Sequence, residues 1–314
     1  MEHQSVLLAE SIEGLAIKPN GVYVDGTLGR GGHSQAILER LDQGHLYAFD
    51  KDEKAIEESK QRLMEKNELV TFIQSDFAQM RTILEADGVK GIDGLLLDLG
   101  VSSPQFDDPQ RGFSYRYDAR LDMRMDMNQD LDAYQVVNTY SYEALANILA
   151  RYGEEKYAKQ IARQIEKQRQ PKPIETTVEL VEVVKAALPQ RALHEKGHPA
   201  KKTFQAIRIE VNHELESLET VLTEMIPFLN EHGRICVISF HSLEDRIVKN
   251  IFNAYIKPAE VDKRIPLLPE QLPKSEFAWV NKKPIVASEA ERNANNRAHS
   301  AKLRIMERSE RNES

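Results

Sequence analysis

The chain is poor in the residues that mark specialised environments. A single cysteine, Cys236, among 314 residues excludes an intrachain disulfide and points to a reducing compartment. No apolar run approaches the ~18–20 residues of a membrane span. The opening MEHQSVLLAESIEGLAI has neither the basic start nor the long apolar stretch of a secretory signal. Positive charge is not in excess: Lys+Arg 42 against Asp+Glu 50 leaves a formal −8, which argues against a protein that coats polyanions over its whole surface. A cytoplasmic protein with no membrane partner is expected. What is present suits a real core: 41% of the residues are hydrophobic, and the length fits two domains or one large domain carrying an insertion.

The first hundred residues alternate strand and helix signals. Val22–Val24 lead into the turn Asp25-Gly26-Thr27-Leu28-Gly29-Arg30-Gly31-Gly32 and then a helical pattern at Ala36, Ile37 and Leu41. Short apolar runs at 46–49, 70–73 and 94–97 follow, leading to Asp50, Asp76 and Asp98. Strand, turn and helix in repetition predict a doubly wound, mostly parallel α/β sheet. Ligands of such sheets bind at the carboxyl ends of the strands, where these acidic residues fall. From about Asp126 the rhythm becomes helical, with stops at Gly153 and Pro171 and a capping box at Thr176 and Glu179. One further helix is predicted through Phe204, Ile207, Val211, Leu215, Leu218, Leu222 and Met225, spaced three and four apart. The α/β pattern resumes at Ile235–Ile238. After residue 256 the chain turns Pro- and Lys-rich and irregular until a strand-like 302–306.

The glycine-rich turn carries the strongest chemistry. Successive glycines let backbone pass close to a ligand, and the following helix offers free N–H groups. The spacing fits no register of the dinucleotide fingerprint G-x-G-x-x-G. D-G-T-x-G-x-G-G-H instead resembles the first motif of class I S-adenosylmethionine methyltransferases, where the turn wraps the methionine part of the cofactor. Asp50 lies 18 residues beyond Gly32, where an acidic side chain can accept from both ribose hydroxyls; the plainer alternative is a solvated strand end. Asp76-Phe77 offers a ring beside backbone groups for adenine, although a lone aromatic is more often core. After Asp98, amino-methyltransferases carry Asp/Asn/Ser-Pro-Pro-aromatic, whose polar side chain and backbone carbonyl orient the target amine. Ser102, Ser103, Pro104 and Gln105 match only its first and third positions. Phe106, Phe113 and Tyr115 are candidates for the missing aromatic.

D-G-T-L-G-R-G-G-H, L-L-D-L-G-V-S-S-P-Q, R-G-F-S, L-D-M-R-M-D, S-F-H-S-L-E-D-R and the opening H-Q-S-V-L-L-A-E together closely resemble the bacterial small-subunit ribosomal RNA cytosine-N4 methyltransferase family. The resemblance runs over nearly the whole chain and is weakest from about 255 to 290. It implies S-adenosylmethionine as cofactor and N4 methylation of one cytidine of small-subunit (16S) ribosomal RNA. It also implies a discontinuous methyltransferase domain (residues 1–125 and 209–314) around a helical substrate-recognition insertion (126–208). By motif position Gly31, Gly32, His33, Asp50, Phe77, Asp98 and Gln105 carry over as cofactor contacts. Asp98, Ser102, Ser103 and Pro104 are the candidates for the chemical step. Ribosomal RNA within an assembled or assembling subunit is the expected partner, and a homodimer is left open.

Two features bear on rival readings. From Arg151 to Arg208 there are 13 Lys+Arg against 7 Asp+Glu, with Lys156, Lys159, Arg163 and Lys167 on one face. An isolated helix of this kind is usually just solvated; beside a methyltransferase-like site, binding of RNA phosphates is the better reading. His194-Glu195-Lys196-Gly197-His198 fits H-E-x-x-H, the signature of zinc hydrolases. That chemistry needs both histidines on one helical face, and Gly197, Pro199 and Pro189 argue against such a helix, so no metal is expected. The other rival, an RNA-binding assembly factor that has lost catalysis, is disfavoured by the intact glycines and Asp50.

Overall fold

The computed structural model describes residues 5–258 and 275–310, leaving the side chains of Ser103 and Pro104 outside the described residues. The chain forms two compact units, residues 1–100 with 215–314, and residues 101–214.

The first unit is built on a seven-stranded sheet in the order β3-β2-β1-β4-β5-β7-β6. Its strands are β1 (Val22–Asp25), β2 (His45–Asp50), β3 (Val70–Gln74), β4 (Ile92–Asp98), β5 (Leu229–Ser239), β6 (Phe277–Trp279) and β7 (Lys302–Arg308). Strands β1 to β5 pair in parallel, and β7 runs antiparallel to both β5 and β6. This is the doubly wound sheet that the sequence predicts. Its strands read as continuous apolar runs because both faces are covered. Tyr23, Leu46, Ala48, Leu96, Cys236 and Ile238 face one core with Ile12, Ile37 and Ile56 of the flanking helices. Their alternates Val24, Tyr47, Phe49, Leu95, Leu97 and Val237 face the other, with Met80, Leu84, Leu218, Leu222 and Phe252. The short edge strand β6 lies in the stretch expected to be irregular; most of that stretch, 259–274, lies outside the described residues.

The second unit is helical, with Ala133–Thr139, Tyr142–Arg151, Ala158–Arg169, Thr177–Ala187 and Lys201–Asn212 as its main helices. Leu145, Leu149, Ile161, Ile165, Leu180, Val184 and Ile207 are buried in it. The capping box at Thr176 and Glu179 forms as the spacing predicts. The unit starts at Val101, so the boundaries expected at 126 and 208 fall inside it. The reason is local: residues 111–125 bond to the helical part. The Leu121 N–H donates to the Glu175 carbonyl (2.9 Å) and the Thr177 N–H to the Ala119 carbonyl (2.8 Å). Asn212 clamps the L-D-M-R-M-D segment, donating to the Met123 carbonyl (2.8 Å) and accepting from the Met125 N–H (2.7 Å).

The single helix expected through Phe204 and Met225 is two. It breaks at His213, which adopts φ 51° between helices Lys201–Asn212 and Glu214–Met225. A left-handed non-glycine residue costs about 1–2 kcal/mol. The Arg208 guanidinium opposes it by donating twice to the Glu214 carboxylate, at 2.8 Å each.

Candidate active site

The parallel strands bring Asp25, Asp50 and Asp98 to one edge of the sheet. The turn after β1 is fixed from several sides. The Leu28 N–H donates to the Phe49 carbonyl at 2.8 Å, and the Gly29 N–H to Asp50 Oδ2 at 2.8 Å. Ser59 Oγ donates to the Gly29 carbonyl at 2.9 Å. Asp25 is buried and accepts from the Thr27 N–H (3.0 Å) and from Ser34 Oγ (2.7 Å). Thr27 Oγ1 in turn accepts the Asp98 N–H at 2.6 Å, tying the turn to the end of β4. Burial holds the Asp25 carboxyl above its ordinary pKa.

The glycines have separate reasons. Gly29 and Gly31 take positive φ, 51° and 73°. A Cβ on Gly32 would collide with Ser5 Oγ, and one on Gly26 with Leu97. Packing therefore accounts for much of the glycine content that, in the sequence, suggests a ligand. Gly29 is the exception. A Cβ there would meet nothing closer than its own turn's Thr27 carbonyl at 3.8 Å, so the missing side chain leaves open space above the turn.

Asp50 ends β2 half-buried. Its second oxygen accepts the Asp52 N–H at 2.9 Å. Burial, the largest influence, outweighs these two bonds and pushes its pKa up to about 6. Phe77 is half-buried at the start of the turn after β3. Asp76 before it is saturated, accepting from the Ala78 N–H (2.8 Å) and Ser217 Oγ (2.8 Å), with Lys51 Nζ at 2.7 Å. His33 is buried, with Nε2 3.2 Å from the Val6 carbonyl and Nδ1 4.0 Å from Asp98 Oδ2. Facing a carbonyl, Nε2 carries the proton. Burial also lowers the His33 pKa, so the ring is neutral and joins the turn to the N-terminal segment.

The remaining candidates belong to the second unit. The Ser102 N–H donates to Gln105 Oε1 at 3.0 Å, and Ser102 Oγ accepts the Gln105 N–H at 3.4 Å. The pair closes the start of the short helix Ser103–Asp107. Among the three aromatic candidates, Phe113 is buried and Tyr115 is stacked on His198, at 4.1 Å between centroids and 8° between planes. Phe106 is half-buried. His194 caps a four-residue helix, Gln190–Leu193, and no helix spans 194–198. The H-E-x-x-H spacing thus forms no one-turn histidine pair, and among the described residues no cluster could hold a metal.

Sequence reasoning passes over Thr27, Ser34, Ser59 and Ser217. Thr27 and Ser34 stand in or beside the glycine-rich turn, which is a usable signal. Ser59 and Ser217 lie on distant helices with no sequence signal.

Residues 1–309 match the MraW methylase family. The chain belongs to that family. A protein named ribosomal RNA small subunit methyltransferase H from Limosilactobacillus fermentum is 53% identical over 309 residues, covering 98% of each chain. Proteins of the same name from Oenococcus oeni and Lactiplantibacillus plantarum are each 52% identical, over 98% of this chain and 98% and 97% of theirs. As an MraW methylase the chain is an S-adenosylmethionine-dependent methyltransferase, built on a seven-stranded, mostly parallel sheet. The donor set fits that cofactor: a half-buried carboxylate for a diol, an open turn at Gly29 and a half-buried ring at Phe77. No helix among the described residues is long and apolar enough to cross a membrane.

Proposed function

We propose that this MraW methylase transfers a methyl group from S-adenosylmethionine to the exocyclic N4 of one cytidine in small-subunit ribosomal RNA, inside the cytoplasm. The name shared by relatives at 52–53% identity over nearly the whole chain supports small-subunit ribosomal RNA as the substrate, and the choice of cytidine rests on the resemblance of the motifs. The motifs around Asp98 and Ser102 supply the choice of an amine as target.

The cofactor brings a methyl group on a positively charged sulfur, already electrophilic, so the protein must chiefly position the nucleophile. Asp50 would accept the ribose hydroxyls, the turn at Gly29 to His33 would pass the methionine part and the Phe77 ring would flank the remainder; by motif position Gln105 would be a further cofactor contact. Asp98, at the end of β4, is the side chain that accepts an N–H of the amine. The Ser102 hydroxyl or a backbone carbonyl of residues 102–104 supplies the second acceptor. Two acceptors would hold the N4 protons and favour the pyramidal nitrogen whose lone pair points at the methyl group; as the N–C bond forms and the S–C bond breaks, the nitrogen gives up one proton to the Asp98 carboxylate. A hydroxyl has two lone pairs and one proton, so Ser102 can cap Gln105 and still face an amine.

The helical unit serves as the RNA-recognition part. In helix Ala158–Arg169, Ala158, Ile161, Ala162 and Ile165 are buried, while Lys159, Arg163 and Lys167 stand exposed on the opposite face. Lys156 precedes that helix and lies 3.5 Å from Glu195.

The test is methyl transfer in vitro from labelled S-adenosylmethionine to small subunits, and to naked 16S RNA, from cells lacking the protein. Label recovered as N4-methylcytidine supports the reading. Label in another nucleoside, or none with either substrate, refutes it.

A further inference from the structure

The S-F-H-S-L-E-D-R motif has no place in the proposed cofactor site, yet it lies at the same edge of the sheet. In the β4–β5 ladder Asp98 sits opposite Ile238, and Phe240 follows two residues later. At ~3.3 Å per residue and ~4.8 Å between strands, Phe240 lies roughly 8 Å from Asp98. A Cβ on Gly100 would touch the Phe240 ring at 3.8 Å.

Beside Phe240 is a cavity of about 260 Å³. Three segments form it: the end of β5 with His241 and Ser242, Val286, and residues 299–302 at the start of β7. Backbone bonds fix these walls. Ser239 pairs with Lys302, and Ile285 exchanges two hydrogen bonds with Leu303, both 2.9 Å. The Glu244 carboxylate holds the Phe240 and His241 N–H groups at 2.7 and 3.2 Å. The cavity is therefore preformed.

Its lining suits a planar ring. Val286 is 53% exposed at its mouth, Phe240 lines it, and His299 and Ser300 stand exposed at the rim. The lining cation, Lys302, already meets the Asp245 carboxylate at 3.2 Å, and Asp245 also accepts from Arg304 Nε at 2.7 Å. Lys302 is thus already paired, while the Arg297 guanidinium stands 5.0 Å from the centroid of the Phe240 ring. Ligand pockets for drug-sized molecules begin near ~300 Å³, so this one has the scale of a single nucleobase.

Resting on the rRNA reading, we propose that this cavity holds an unstacked base of the RNA strand next to the target cytidine, sandwiched against Val286 and His299. Single-stranded RNA is commonly read through splayed bases on aromatic and apolar side chains.

The experiment uses the full chain and a short single-stranded RNA of the target sequence carrying 4-thiouridine at successive positions beside the cytidine. Irradiation is expected to place one neighbouring position on the peptides containing Phe240–Ser242 or His299–Lys302. Val286→Glu and His299→Ala should each raise the KM for RNA by roughly 5- to 150-fold, the range for removing one side chain on which a base stacks. Both residues are surface-exposed, so the variants should fold, and S-adenosylmethionine affinity should not change. His299→Phe should restore the KM. Variants with wild-type KM, or cross-links that avoid both peptides, overturn the proposal while leaving methyl transfer intact. Saturable binding of free cytidine or adenosine monophosphate that RNA does not compete also overturns it, as a free-nucleotide site. A wild-type protein that methylates no RNA removes the rRNA reading instead.

Discussion

Asp50 accepts the N–H of Gly29 at 2.8 Å, so the carboxylate proposed to hold the ribose also fixes the turn proposed to hold the methionine part. Binding and preorganisation depend on the same side chain. Asp50→Ala should weaken S-adenosylmethionine binding by about 1.5–3 kcal/mol, the scale for hydrogen bonds to a charged group. Asp50→Asn should be nearly as damaging. Each carboxylate oxygen faces a backbone N–H, and an amide would turn its NH₂ against one of them. Calorimetric titration checks both; wild-type affinity in either variant removes Asp50 from the site.

The raised pKa of Asp50, about 6, gives a second test. The carboxylate form binds the diol, so cofactor affinity should be flat above pH 6 and fall roughly tenfold per unit below it. Stability of the unliganded protein moves the other way. A carboxyl with a folded pKa above its unfolded value binds its proton more tightly when folded, so its contribution is favourable at low pH and is lost as pH rises through about 4 to 6. Asp50→Ala should flatten the affinity profile over that window.

Ser102→Ala should lower the single-turnover methylation rate at saturating cofactor by ~10–1000-fold, the range for one preorganised polar group. It also removes the acceptor for the Gln105 N–H, a cap-like bond of about 0.5–2 kcal/mol. Asp98→Ala should lose both rate and cofactor affinity. A folded Ser102→Ala protein with reduced stability and wild-type rate would confine this serine to capping.

Replacing Lys159, Arg163 and Lys167 with Ala should weaken RNA or subunit binding and flatten its salt dependence by about 0.7–0.9 unit for each phosphate no longer neutralised. Cofactor affinity should be unchanged. Wild-type binding at every salt concentration would make this face merely solvated.

Purified protein should contain no stoichiometric zinc, and chelators should leave its activity intact. His198 stacks on Tyr115 and its Nδ1 accepts the Ala200 N–H at 3.2 Å, which commits the ring elsewhere. One equivalent of metal, absent from a His194→Ala variant, would contradict this.

The sheet is legible in the sequence because parallel strands buried on both faces leave uninterrupted apolar runs, and Asp25, Asp50 and Asp98 close three of them. The break at His213 is not, since Val211 and Leu215 keep their helical spacing across it and no glycine or proline intervenes. The boundary at Val101 is hidden for a different reason. Residues 101–125 carry no repeating pattern, and their allegiance is decided by long-range bonds to Glu175, Thr177 and Asn212. In the site, strand-end carboxylates and glycines announce themselves. The supporting hydroxyls of Ser59 and Ser217 do not, because a serine on an amphipathic helix looks the same whether or not it meets a loop.

Mass spectrometry of ribosomal RNA nucleosides from cells with and without this protein tests the central claim most directly. N4-methylated cytidine at one position of the small-subunit RNA should vanish without the protein, return with the wild type and stay absent with Asp98→Ala. An unchanged nucleoside profile in the deletion, or loss of a methyl group from a different base, would contradict it.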